Sequence, residues 1–320
     1  MNKIVLISGD PNSINSEIIY KTWKKLNKSL RRRIYIISNY DLLKEQFSYL
    51  KYPIKINKIN NIYEKTKSNQ LNILSLKLKF KKPFNVTKNE ASKFVLKSLN
   101  YAHSLAVKDK NINIINCPIS KNLLKKNKIG VTEYLAKKCK LKDNSEVMVI
   151  KNKTFAVSPI TTHIDVSEIS KKINSKIICK KIFTIHNWYK NKLKSKPRIG
   201  VLGLNPHNAE LRKNSEERRV IIPSISKLKK RGVNVNGPLV ADTIFINEYK
   251  NYDLLVGMYH DQVLSPFKAL FNFDAINITL GLKYIRVSPD HGTAVNLIGK
   301  KRANPSSLIN CVNFLDKIIK

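Results

Sequence analysis

Three of the six histidines in the chain share one context. His163 follows Thr161-Thr162, His207 follows Asn205-Pro206, and His260 follows Met258-Tyr259, each after a short apolar run that reads as a strand. Histidines on neighbouring loops at one edge of a sheet could offer three nitrogens to a divalent ion and leave positions open for substrate. Such an ion supplies Lewis-acid polarisation. These long separations match no local ligand pattern, so spacing alone leaves three unrelated loop histidines as the alternative. His103 and His186 lie inside apolar-periodic helices and read as structural.

A second group lies between Gly257 and Lys300. Lys268 and Arg286, read as loop-end residues, suit an anionic substrate, since arginine can grip a carboxylate or phosphate with a bidentate fork. Asn277 falls between them. Further on, Asp290-His291-Gly292-Thr293-Ala294 leads to Gly299-Lys300. It reads as a small-residue turn into a helix, which suits close approach of a nucleotide. Asp242 and Asp261 are the candidates for orienting a histidine from behind.

Strands that end at these residues must hold them. Apolar runs predict strands over Lys3–Ser8, Arg33–Ser38, Leu71–Leu78, Asn111–Asn116, Arg198–Leu204, Tyr252–Gly257, Asp274–Leu280 and Tyr284–Val287. A hairpin is predicted from Val147–Ile150 and Phe155–Val157. Between them lie helical stretches over Tyr40–Tyr49, Ile164–Lys194, Ser215–Arg231 and Ser306–Ile319. Thr87 to Glu90 forms a capping box for a helix to Lys108, Thr132 is a candidate cap after Gly130, and Gly237-Pro238 begins a turn. The alternation predicts an α/β fold with a mainly parallel sheet. Gly9 is followed by no glycine until Gly130, so no dinucleotide-binding glycine fingerprint opens the chain.

At 320 residues the chain is long enough for two domains, and its 42% hydrophobic content is that of a globular protein. No apolar run approaches the ~20 residues of a membrane helix. The opening MNKIVLISGD enters a strand at once and shows no signal peptide. Cys117, Cys139, Cys179 and Cys311 are scattered, with no CxxC pair, and a cytoplasmic location is the expectation. Sixty Lys and Arg against twenty-two Asp and Glu give a net charge of +38. Such a charge could bind nucleic acid through phosphate. The cations are spread along the whole chain beside frequent Asn and Ile, as a biased codon composition gives, and no recognition motif accompanies them. No specific nucleic acid and no membrane are therefore expected as partners.

Together the motifs resemble the 4-hydroxythreonine-4-phosphate dehydrogenase family of vitamin B6 synthesis. The resemblance rests on GDP near the start, TTHI, GLNPH, GP followed by ADT, YHDQ with Lys268, and NITLGL…RVSPDHGTA…GK with ANP behind it. It implies an isocitrate/isopropylmalate dehydrogenase-like fold: two α/β domains with mainly parallel sheets and the active site in the cleft between them. Here the first domain is expected over 1–128 and 288–320, and the second over 129–287. The resemblance implies oxidation of 4-phosphooxy-L-threonine at C3 with NAD or NADP, then decarboxylation to 3-amino-2-oxopropyl phosphate. A divalent metal (Zn, Mg or Co) is implied, with His163, His207 and His260 as ligands. Thr132, Lys268, Asn277 and Arg286 become contacts to a small phosphorylated substrate, and His291, Gly292, Thr293, Ala294 and Asn304 contacts to the cofactor. A homodimer with a shared active site is also implied, His260 coming from the partner.

The chain departs from the family's pattern in four places. Val131 replaces the histidine usual before Thr132, Asn12 to Asn15 replace a glycine-rich start, Asn296 replaces an aspartate, and the segment after NPH has Asn208-Ala209 and lacks the usual glycines. Two alternatives stay open: a paralogue acting on threonate or erythronate 4-phosphate, and a basic nucleic-acid-binding protein on a decayed dehydrogenase scaffold.

Overall fold

Strand β1 (Lys3–Ile7) carries KIVLI and is buried from its second residue onward. Strands β2 (Ile34–Ser38) and β5 (Ile112–Asn116) are buried at every position. Continuous burial marks strands covered on both faces, as parallel strands joined by helical crossovers are. The computed structural model describes residues 2–124, 130–141, 145–272 and 274–318. It divides into two compact units, one of Met1–Lys140 with Leu282–Lys320 and one of Leu141–Gly281.

In the first unit, β3 (Lys55–Ile59), β4 (Gln70–Ser75) and β12 (Arg286–Pro289) complete the order β3-β4-β2-β1-β5-β12, numbered along the chain. Every recorded pairing among these strands is parallel. Helices α1 (Asn15–Lys25), α2 (Lys28–Arg33), α3 (Tyr40–Tyr49), α4 (Lys88–Lys108), α5 (Val131–Lys138) and α10 (Ser306–Ile318) belong to this unit. The Thr87 hydroxyl accepts from the Glu90 N–H at 3.5 Å, as the capping box predicts. His103, in α4, pairs through Nδ1 with the Tyr284 hydroxyl at 2.9 Å.

Several expectations differ from the fold. Residues 130–140 and 282–287, expected in the second domain, belong to the first unit, because α5 packs on α4 and β12 pairs with β5. The expected boundary at 128/129 lies outside the described residues. So does Ile319 at the expected end of the last helix. Thr132 does not cap α5; Gly130 occupies that position without a side-chain bond. Helix α2 and strand β3 carry no clear apolar period. Strand β3 ends the strand order and is half-exposed, and its KINKI sequence has the lysines that blunt an edge.

The second unit has the order β11-β6-β7-β10-β8-β9. Strands β6 (Val147–Lys151) and β7 (Ala156–Pro159) form the expected antiparallel hairpin, and β11 (Ile276–Leu280) pairs antiparallel with β6. Strands β8 (Ile199–Leu202), β9 (Val235–Leu239) and β10 (Leu254–Gly257) complete it. The Gly237-Pro238 pair lies inside β9 rather than opening a turn; β9 ends the strand order, where proline is tolerated. Helices α6 (Ile169–Lys172), α7 (Ser175–Trp188), α8 (Ile222–Lys230) and α9 (His260–Phe271) fill the connections. Phe155, Val157, Leu255, Val263 and Phe267 share one buried cluster that fixes α9 against β7 and β10. Each large apolar side chain so buried contributes about 1.5–3 kcal/mol. Among the described residues, no helix is long and apolar enough to cross a membrane.

Candidate active site

The three histidines follow three strands that lie side by side. Strand β10 pairs in parallel with β7 on one flank and with β8 on the other. Their C-terminal ends therefore open on one edge, and these ends lead to His260, His163 and His207 respectively. This is the edge where parallel α/β sheets place ligand sites.

Hydrogen bonds tie the strand ends together. Ile160 N–H donates to the Gly257 carbonyl at 2.8 Å, and the Thr161 hydroxyl donates to the Met258 carbonyl at 2.7 Å. Gln262 bridges the other way: its Oε1 accepts from the Met258 N–H at 2.7 Å, and its Nε2 donates to the Gly203 carbonyl at 2.7 Å. Lys181 is 6% exposed and donates to the Ile160 carbonyl at 2.8 Å. Fully buried Glu217 accepts from the N–H groups of Leu204 and Asn205, both at 2.8 Å. Burial alone would raise Glu217, but the Asn205 and Leu204 donors outweigh it and hold the carboxylate below its usual range. No role is legible in the sequence for Thr161, Lys181, Glu217 or Gln262. Thr161 in TTHI and Gln262 in YHDQ carry a positional signal, and Lys181 and Glu217 carry none.

His260 is the first residue of α9 rather than a loop residue. Its Nδ1 lies 2.6 Å from Asp261 Oδ1, so the N–H donated there leaves Nε2 for a ligand. The rings of His163 and His260 stand 5.8 Å apart between centroids, within reach of one ion at bonds of about 2.0–2.1 Å. His207 is exposed and sits in a left-handed turn in which His207, Asn208, Ala209, Glu210 and Leu211 all have φ between 44 and 57°. Among the described residues no three His, Cys, Asp or Glu stand together closely enough to hold an ion. The chain thus brings two of the expected ligands together and places the third on the adjoining strand end. The pair, with a carboxylate behind one ring, fits a divalent ion. Asp242 is exposed beyond β9, and no hydrogen bond joins it to a histidine among the described residues.

The expected substrate residues divide between the units. Arg286 and Thr132 belong to the first. Arg286 is not a loop-end residue but opens β12 and is 3% exposed; its Nε donates to Asn116 Oδ1 at 2.6 Å and its Nη1 to the Thr132 hydroxyl at 3.3 Å. Burial pulls its guanidinium down to about 10, so it stays charged at neutral pH. A buried cation suits an anion that brings its own charge. Lys268 and Asn277 belong to the second unit. Lys268 lies in the last turn of α9, not on a loop, and Asn277 in β11 has a buried Oδ1 without a partner among the described residues.

The DHGTA segment follows β12. It leads to a single 3-10 turn at Val295–Leu297 rather than into a helix. His291 Nδ1 lies 3.0 Å from the Gly292 carbonyl, while its Nε2 is a buried nitrogen with no partner among the described residues. A Cβ added at Gly292 would meet nothing within 4 Å, and Ala294 is left-handed. An orphaned ring nitrogen beside an open glycine fits a ligand laid along this turn. Asn304 Oδ1 accepts from the Ser306 N–H at 2.9 Å at the start of α10.

A sequence model of the family described as "Pyridoxal phosphate biosynthetic protein PdxA" matches residues 13–315. A 4-hydroxythreonine-4-phosphate dehydrogenase of Sulfurihydrogenibium sp. is 36% identical over 98% of this chain and 97% of its own length. A relative from Oceanobacillus iheyensis, provisionally named D-threonate 4-phosphate dehydrogenase, is 31% identical over 97% of this chain and 96% of its own. The crystal structure of the 4-hydroxythreonine-4-phosphate dehydrogenase of Klebsiella pneumoniae superposes with a TM-score of 0.86 at 28% identity, covering 100% of both chains. An isocitrate dehydrogenase from Methylococcus capsulatus shares the fold at a TM-score of 0.50 and 12% identity over 99% of this chain and 86% of its own. With the family's sequence model matched over 13–315 and relatives aligned over nearly their whole length, the chain belongs to the PdxA family of pyridoxal phosphate biosynthetic proteins.

Proposed function

We propose that the protein oxidises 4-phosphooxy-L-threonine at C3 with NAD or NADP and releases carbon dioxide, giving 3-amino-2-oxopropyl phosphate for pyridoxal phosphate synthesis. The observation that carries this reading is the alignment of three parallel strand ends leading to His163, His207 and His260. Bound there, a divalent ion supplies Lewis-acid polarisation, and the dinucleotide accepts the hydride. Three imidazoles favour Zn or Co over Mg, which prefers oxygen ligands. Asp261 holds the His260 ring in the tautomer that offers Nε2. Arg286, with Thr132 beside it, and Lys268 carry the positive charge that holds the substrate's phosphate and carboxylate. Asn277 offers its buried oxygen, unpartnered among the described residues, to a substrate donor. His291, Gly292, Thr293 and Ala294, together with Asn304 before α10, are the residues taken to hold the dinucleotide. The active species is a homodimer in this reading, as the family resemblance implies, and mixing variant chains decides whether His260 completes its own chain's site beside His163 or the partner's.

One observation favours a second reading, oxidation of D-threonate 4-phosphate: the Oceanobacillus relative carries that provisional name. The two substrates differ in their charged groups, so rates separate them. With each supplied to the metal-loaded protein, kcat/KM for 4-phosphooxythreonine is expected to exceed that for D-threonate 4-phosphate at least ten-fold, or about 1.4 kcal/mol. The reverse ratio assigns the chain to the second substrate.

A further inference from the structure

Helix α1 makes an unusual set of bonds to a loop far away in sequence. Glu17, 1% exposed, accepts through Oε1 from the Ala303 N–H at 2.9 Å and from the Lys21 ammonium at 2.7 Å. The same ammonium donates to the carbonyls of Lys301 at 2.9 Å and Ala303 at 2.8 Å. Its three protons are thereby all used. Just before the helix, the Ile14 N–H donates to the Thr293 carbonyl at 3.2 Å. The Tyr52 ring stacks on Tyr20 of α1 at 4.1 Å between centroids. Burial first, and then the Glu17 carboxylate, push its phenol up to about 12.

A Glu–Lys pair one helical turn apart is ordinarily a solvated surface pair of little consequence. This one differs on two counts. Its carboxylate is buried, and its lysine spends two donors on main-chain carbonyls of residues 301 and 303. Those carbonyls lie three residues and one residue before Asn304, and Thr293 lies within the DHGTA turn. One end of one helix therefore holds both segments assigned above to the dinucleotide, through contacts that touch only their backbone.

We propose that Glu17 and Lys21 are positioning residues for the dinucleotide: they fix the main chain at 301–303, while Ile14 fixes Thr293, so that both segments are set before the ligand binds. The inference rests on the reading of His291–Ala294 and Asn304 as the cofactor segment. Preorganisation of this kind acts on affinity, since ordering the loop is no longer charged to binding. It leaves the strand ends that carry the histidines untouched.

The test titrates the full-length, metal-loaded protein with NADH and with NADPH, followed by their fluorescence. Lys21→Met removes the three donors and keeps the apolar stem, and Lys21→Arg restores donors at the same place. Lys21→Met is expected to raise the Kd of whichever dinucleotide the wild type binds by about ten-fold or more, the equivalent of one charge-assisted hydrogen bond. Lys21→Arg is expected to recover most of that loss. At saturating dinucleotide, the KM for the phosphorylated substrate stays within about two-fold in both, a split that a general loss of fold does not give. Glu17→Gln keeps an acceptor for Ala303 and loses the charge that holds Lys21. It is expected to shift the Kd in the same direction, and decides the matter if Lys21→Met does not fold. An unchanged Kd in Lys21→Met, beside a weakened one in His291→Ala, overturns the positioning role and spares the cofactor reading. If none of Lys21→Met, His291→Ala and Asn304→Ala moves the Kd, the cofactor reading itself fails and the inference falls with it.

Discussion

His207 opens a run of five left-handed residues without a glycine among them, and the chain holds that run against its preference. Left-handed backbone costs a residue with a Cβ roughly 1–2 kcal/mol. Asn208 tolerates it best and anchors the turn by donating to the Pro238 carbonyl at 3.1 Å. Ala209 is buried at φ 52°, in the segment after NPH that lacks the glycines usual in the family. Ala209→Gly is therefore expected to stabilise the protein by about 1 kcal/mol, seen as a raised melting temperature. An unchanged or lowered Tm would show that the turn relaxes at no cost. A second residue-scale departure touches function. Val131 opens α5 directly before Thr132, whose hydroxyl is held by Arg286. Val131→His adds a donor there and is expected to lower the KM for 4-phosphooxythreonine, by up to the ~1.5–3 kcal/mol of a charged hydrogen bond. A raised KM would show that the pocket is shaped for valine.

Among the elements, the strand ends were the most legible feature of the sequence. TTH, NPH and YHDQ each follow a short apolar run, and parallel strands open their C-terminal ends on one edge, so the expectation that His163, His207 and His260 follow adjacent strands needed only the alternation of strands and helices. The ties between those ends were not legible. Glu217 lies in a stretch that reads as a charged surface helix, and nothing in its spacing tells of a buried carboxylate turned back to Asn205. The sequence around Lys268 and Arg286 reads as loop ends because polar residues interrupt apolar runs at both places. The first lies on α9 because the Phe267 cluster seats that helix, and the second opens β12 inside the core. Gln262 is the element-scale test. Gln262→Ala leaves the Met258 N–H and Gly203 carbonyl without their side-chain partner, at about 1–3 kcal/mol for each buried group left unpaired. The expected result is a lowered Tm together with weaker metal retention on dialysis. Lowered Tm with undiminished metal retention would mean that the histidine ends do not depend on this bridge.

Over the whole molecule, the +38 charge has no focus that the sequence reveals, whereas the family's sequence model matches residues 13–315. Two units, each with its own largely parallel strand set, carry the candidate residues: Thr132, Arg286 and the DHGTA segment on the first, the histidines, Lys268 and Asn277 on the second. Assembly beyond one chain is tested by mixing. Refolding His207→Ala chains with His260→Ala chains gives about half mixed dimers, each with one intact site if His260 serves the partner, under two-fold symmetry. Roughly a quarter of wild-type activity is then the ceiling. Zero recovery with proven subunit exchange would assign His260 to its own chain, beside the His163 ring 5.8 Å away. The central claim, a metal-dependent dehydrogenase of 4-phosphooxy-L-threonine, meets its most direct test in one measurement: NADH or NADPH formation on that substrate by protein stripped with chelator and dialysed, before and after metal is returned. The account predicts no turnover in the stripped protein and recovery at about one Zn or Co ion per chain. Full turnover without metal, or none on this substrate with metal restored, would contradict it.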